Sequence, residues 1–175
     1  TIQSRCQVYK LTPLSKEEIL EYIDLKYPEI SEQDKQAVIA YCIGIPGKID
    51  RFLGDEGLRN LRAICTDLFE DIINRSSNIV IKYQELLKNL QDEKTEFLDI
   101  LILFIRDIMI FKELNKIDLI INVDKADKIK QISRGITYKK LNSMLEYIEE
   151  ARTNFNSNTN YSMTISVLLM GFAEV

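Results

Sequence analysis

Proline is absent after Pro46 in this chain, and from there apolar residues recur at three- and four-residue spacing, the two conditions long packed helices require. Leu61, Ile64, Leu68 and Ile72 follow helical spacing, as do Ile79, Tyr83, Leu86, Leu87 and Leu90. The stretch from Lys94 to Lys116 is apolar on nearly all sides, which in a soluble protein places it at the centre of a bundle. A polar segment, 122–135, is expected to follow it. Two further helices then run from Tyr138 to Asn154 and from Tyr161 to Phe172, joined by a bend in the Asn-rich residues 154–160.

The first fifty residues carry all three prolines and break the chain into shorter pieces. Residues 1–11 contain Ile2, Val8, Tyr9 and Leu11 and end at Thr12-Pro13, where the proline disfavours helix in its predecessor, so an extended stub is expected. Ser15-Lys16-Glu17-Glu18 has the form of a capping box and predicts a helix over residues 16–26, broken at Tyr27-Pro28. Ser31 is a second N-cap candidate, for a helix that stops near Gly44. Gly44-Ile45-Pro46-Gly47 is a turn, and a third short helix follows through Ile49, Phe52 and Leu53. Gly54-Asp55-Glu56-Gly57 interrupts the apolar periodicity and is the expected boundary between this three-helix unit and the longer bundle.

Composition closes off most catalytic chemistry. There is no histidine, so the commonest general base, the commonest metal ligand and every Ser-His or Cys-His pair are missing. Twenty-three Lys and Arg against 27 Asp and Glu give a net charge of -4, which argues against a protein that wraps duplex DNA through phosphate neutralisation. Cys6, Cys42 and Cys65 lack CxxC spacing and read as reduced thiols. The acidic clusters have no spacing suited to a metal, and none is expected. The six glycines form neither GxxxxGK[ST] nor GxGxxG, so no autonomous nucleotide site is encoded. No stretch is apolar enough for a membrane span, and a cytoplasmic protein is expected. A first residue of Thr1, leading straight into Ile2-Gln3, suggests a piece cut from a longer chain.

The residues with a sharper reading are Thr1-Ile2-Gln3-Ser4-Arg5-Cys6-Gln7, with Pro13-Leu14-Ser15 after them. They resemble the Ser-Arg-Cys motif that ends the ATPase core of clamp-loader subunits of bacterial DNA polymerase III and leads into their lid. Leu103-Phe104-Ile105-Arg106-Asp107 is similar to a Trp/Phe-x-Arg-Asp segment of the collars of that family, and Ala151-Arg152 through Asn160 to Leu169 to their link into a final Leu-rich helix. The resemblance implies an all-α fold: the end of an AAA+ core over residues 1–11, a three-helix lid over 12–54 and a collar bundle of five or six longer helices over 55–175. It implies that Arg5 is an arginine finger acting in trans, flanked by Ser4 and Cys6 as motif support, and that ATP is held by neighbouring subunits while this chain carries no cofactor. The implied partners are the gamma/tau and delta subunits in a hetero-pentamer, with the sliding clamp and primed DNA reached through the complex and no membrane contact. The chain would be part of a nucleotidyltransferase holoenzyme without activity of its own.

Motor subunits of the family carry a sensor arginine three residues after the first glycine of the lid turn. Here that position is Gly47, which fits the delta-prime type, described as a stator that supplies a finger and does not hydrolyse ATP. Lys48 stands next to it, so the C-terminal part of a gamma/tau motor subunit is one alternative. An unrelated helical interaction domain is another. Arg106-Asp107 reads more simply as a charged pair on a central helix, satisfied by neighbouring helices or at the edge of the bundle. Lys125, Lys128, Lys130, Arg134, Lys139 and Lys140 read as a solvated face diluted by Asp124 and Asp127, with nucleic-acid contact left open.

Overall fold

The structure, a computed structural model, describes residues 5, 7, 9–54, 56–157 and 159–174. Among these it is all-α. The helices are α1 (Lys16–Lys26), α2 (Glu32–Cys42), α3 (Pro46–Gly54), α4 (Glu56–Ile73), α5 (Ile79–Leu87), α6 (Lys94–Leu114), α7 (Ala126–Gly135), α8 (Tyr138–Asn156) and α9 (Tyr161–Glu174). Two 3₁₀ turns, Ile117–Leu119 and Val123–Lys125, fill the link from α6 to α7.

The short helices begin where the local chemistry says they should. Ser15 caps α1 in a complete capping box: its hydroxyl accepts from the Glu18 amide at 3.2 Å, and the Glu18 carboxylate accepts from the Ser15 amide at 2.7 Å. Ser31 caps α2 through the Asp34 amide. Pro46 opens α3, the position where a missing N–H costs nothing. The polar segment 122–135, to which the sequence reading assigned no element of its own, holds α7, a helix with one narrow apolar side that buries Ile129 and Ile132.

The centre of the molecule is α6. It packs against α4, α7 and α8, while α9 packs against α5 and α8. Phe69 of α4 lies between Phe104 of α6 and Phe172 of α9, with ring centroids 6.1 and 6.5 Å away. Tilted aromatic pairs at such distances add to the burial of their area. α8 and α9 approach so closely that a Cβ on Gly171 would stand 2.6 Å from the Tyr147 ring. One apolar cluster runs without a break from Ile19 and Ile23 in α1 to Phe172, so the three short helices share their core with the longer ones.

Candidate functional site

Arg5 is exposed, while Ser4 and Cys6 lie outside the described residues. The segment that leads from Arg5 into α1 is tied to the turn between α2 and α3: the Leu14 amide donates to the Gly44 carbonyl at 2.8 Å. Gly44 has φ +78, and a Cβ there would stand 2.5 Å from the Leu14 carbonyl oxygen and 2.8 Å from the Pro13 ring. Both the backbone conformation and the close approach therefore require glycine. Ile43, just before it, is also left-handed, at φ 47, an unfavourable conformation for a β-branched residue.

Beside this turn lies an apolar groove of about 570 Å³. Leu14, Ile19 and Ile39 form one wall, and Ile120, Ile121 and Val123 form the other. The second wall is irregular backbone, and a buried polar hub fixes it. Asp107 of α6, fully buried, accepts from the amides of Ile121 (3.0 Å) and Asn122 (2.7 Å) and from the Asn122 side chain (2.8 Å). Arg62 of α4, also buried, donates to the Asn122 side-chain oxygen at 2.7 Å and to Asp124 at 2.9 and 3.2 Å. Its guanidinium lies 5.9 Å from the centre of the Phe52 ring of α3. The Arg106-Asp107 pair is thus satisfied as a structural feature: Arg106 stays half-exposed at 2.7 Å from its neighbour, and Asp107 serves the backbone of the wall. The Asp107 anchor to residues 121–122, and the part taken by Arg62, Asn122 and Asp124, have no motif in the sequence. The available signal was an arginine inside the apolar face of α4, next to Leu61 and one turn before Cys65 and Thr66.

The turn between α2 and α3 and the start of α3 hold two more residues singled out above. A Cβ on Gly47 would meet nothing within 4 Å, so neither packing nor a left-handed backbone accounts for glycine there. Lys48 places its ammonium 5.6 Å from the centre of the Tyr41 ring. On the outer side of α1, Asp50 accepts from Lys26 (2.6 Å) and Tyr27 (2.7 Å), and these two bonds, Lys26 first, hold its carboxyl below the ordinary value.

Lys128 pairs with Glu70 and Asp67, whereas Lys140 is half-buried. Cys42 and Cys65 are free and buried, and burial pushes both thiols up. Among the described residues no group of His, Cys, Asp and Glu has a metal-binding arrangement, and no helix is long and apolar enough to cross a membrane. On the far side of the molecule, Met163, Val167 and Met170 lie along one face of α9 and are 70%, 41% and 49% exposed. Three large apolar side chains at i, i+4 and i+7 make an uncovered stripe on a helix otherwise packed into the bundle.

A family model described as DNA polymerase III, delta subunit, C terminal, matches residues 57–174, well over half of the chain. The chain belongs to that family. The match starts at the second residue of α4 and ends at the last residue of α9, so it spans the six helices from α4 to α9. A clamp-loader role within DNA polymerase III, in association with other clamp-loader subunits, follows from membership of the DNA polymerase III delta C-terminal family. No curated protein matches the chain.

Proposed function

We propose that this chain is the lid and collar of a clamp-loader subunit of the delta-prime type, which assembles through its collar and lends Arg5 to an ATP site on a neighbouring subunit. In this reading residues 12–54 are the lid, 55–175 are the collar, and residues 1–11 are the end of an AAA+ core. The observation that carries it is the family match over 57–174 on a chain that bears Ser4-Arg5-Cys6 ahead of its first helix. The family bears the name of the delta subunit, so the delta-prime assignment rests on the finger motif and on Gly47. Two features support the assignment. Arg5 is exposed, and the segment that follows it is anchored at Leu14 to the Gly44 turn. Gly47 stands where a motor subunit would carry its sensor arginine, without any packing reason to be glycine. ATP then belongs to the neighbours, and the Met163-Val167-Met170 stripe faces a gamma/tau or delta collar in a hetero-pentamer that places the sliding clamp on primed DNA.

Reconstitution with gamma/tau and delta subunits tests both halves. Arg5→Ala in the full-length protein should leave the assembled complex unchanged in size-exclusion chromatography while DNA-stimulated ATP turnover falls. Unchanged turnover with normal assembly would sink the finger. Met163→Glu with Val167→Glu should do the reverse, reducing assembly while the isolated chain keeps its helical circular dichroism. Full assembly by that variant would remove α9 from the interface.

A further inference from the structure

The end of α4, the start of α5, Lys140 near the start of α8 and the end of α9 enclose a second cavity of about 580 Å³, remote in sequence from Arg5 and from the apolar groove. Its charges are unusual for a free surface. Arg75 and Lys140 both line it, and their side chains have no carboxylate or other hydrogen-bond partner among the described residues. Arg75 is exposed and Lys140 half-buried, and burial first, then the Arg75 guanidinium, lowers the Lys140 ammonium from the ordinary lysine value. Lys140 is also the third residue of α8, whose first turn contains no acid, so the partial positive charge of that helix end adds to the repulsion. The opposite rim is the first turn of α5. Ile79, Val80 and Ile81 line the cavity, and the side chain of the N-cap residue Asn78 accepts no hydrogen bond from their amides. Glu174 is the acid on the rim; it is exposed and pairs with neither cation.

Two like charges in a half-enclosed cavity, with unspent amide donors across from them, are unfavourable for the empty protein and complementary to a tetrahedral oxyanion. We propose that this cavity binds the phosphoryl group of a small phosphorylated ligand, with Lys140 and Arg75 as the charge-bearing contacts and the α5 amides as the orienting ones. The volume accommodates more than one phosphoryl group. The proposal is independent of Arg5 and of the assignment to the delta-prime type.

The test is a titration of the chain with inorganic phosphate, pyrophosphate and a nucleoside triphosphate, each at constant ionic strength, followed by amide chemical shifts and by calorimetry. Saturable shifts should centre on residues 79–81 and 140. Comparison of the three titrants identifies the source of the phosphoryl group. Lys140→Gln and Arg75→Gln should each weaken binding by about tenfold or more, the loss of one charge-assisted contact. Glu174→Gln should tighten binding by removing a competing carboxylate, an effect that loss of structure does not produce. Lys139→Gln, on the neighbouring exposed position, should stay within about twofold of the parent. Shifts that never saturate, or affinities unchanged in both glutamine variants, overturn the proposal. So does binding of a single-stranded oligonucleotide without binding of the small phosphates.

Discussion

Removing the Asp107 carboxylate should be among the most damaging single changes outside the aromatic core. In Asp107→Ala the Ile121 amide and two Asn122 donors lose their acceptor. Asn122 is 2% exposed, so its two donors cannot turn to bulk water. Each buried donor left unsatisfied costs about 1–3 kcal/mol, so the pair costs about 2–6 kcal/mol before relaxation. Relief of the buried charge's own desolvation offsets part of this, and the net expectation is about 3–4 kcal/mol. Asp107→Asn separates the terms. An amide oxygen in place of Oδ2 retains both Asn122 bonds and the 3.1 Å bond from the Ile121 amide, while the amide nitrogen falls where Arg106 and, at 3.0 Å, Ile121 donate, and Arg106 can rotate into solvent. The expected cost is about 1–2 kcal/mol. Arg106→Ala, removing a partner that is 42% exposed, should cost less than about 1 kcal/mol. Urea unfolding followed by far-UV circular dichroism gives the three values, with m unchanged if the native state keeps its compactness. The Ile121 and Asn122 amides should also lose hydrogen-exchange protection in the alanine variant ahead of the rest of α6. A cost below about 1 kcal/mol for Asp107→Ala, or an asparagine variant less stable than the alanine one, would refute the reasoning.

The turn beside the groove should respond in opposite directions to two small changes. Ile43→Gly relieves a β-branched left-handed residue and should raise stability by about 1 kcal/mol in the same urea assay, whereas Gly44→Ala should lower it by about 2 kcal/mol or more. The Asp71 carboxyl is held below its ordinary value first by the Lys82 ammonium and then by the Tyr83 and Ser76 hydroxyls. A depressed folded value means its contribution is complete above about pH 4 and fades as pH falls through the lower folded value, so Asp71→Asn should flatten the acid limb of a stability–pH profile. In a Cys6→Ser background, Cys42 and Cys65 should resist a thiol reagent at pH 8 in the native protein and react fully in denaturant, because burial disfavours both thiolates.

The parts of the fold that could be read from the sequence are those decided by local chemistry. Ser15 with Glu18, Ser31, and Pro46 each fix a helix start through one or two backbone hydrogen bonds, and α6 declares itself by apolar content on every side. α7 did not, because its apolar side is only two isoleucines wide among Asp127, Lys128, Lys130 and Arg134, and the burial of Ile129 and Ile132 comes from neighbours distant in sequence. The wall of the groove was equally hidden. Residues 120–122 have no regular structure of their own and lead into a single 3₁₀ turn, and the carboxylate and guanidinium that hold them come from α6 and α4. Arg5 lies at the opposite limit. Its motif is visible in the sequence, yet its proposed role depends on a nucleotide carried by another subunit, which no local interaction in this chain records.

The most direct test of Arg5 in trans is therefore made at the neighbour's nucleotide. In the reconstituted loader, the affinity of the motor sites for ADP and for ADP with aluminium fluoride should be compared between the parent and Arg5→Ala. A finger that stabilises charge developing in phosphoryl transfer strengthens the analogue complex and leaves ADP nearly untouched. The account predicts a loss of about tenfold or more in analogue affinity at one site per loader, with ADP affinity unchanged. Equal affinities for the analogue in both proteins would contradict it.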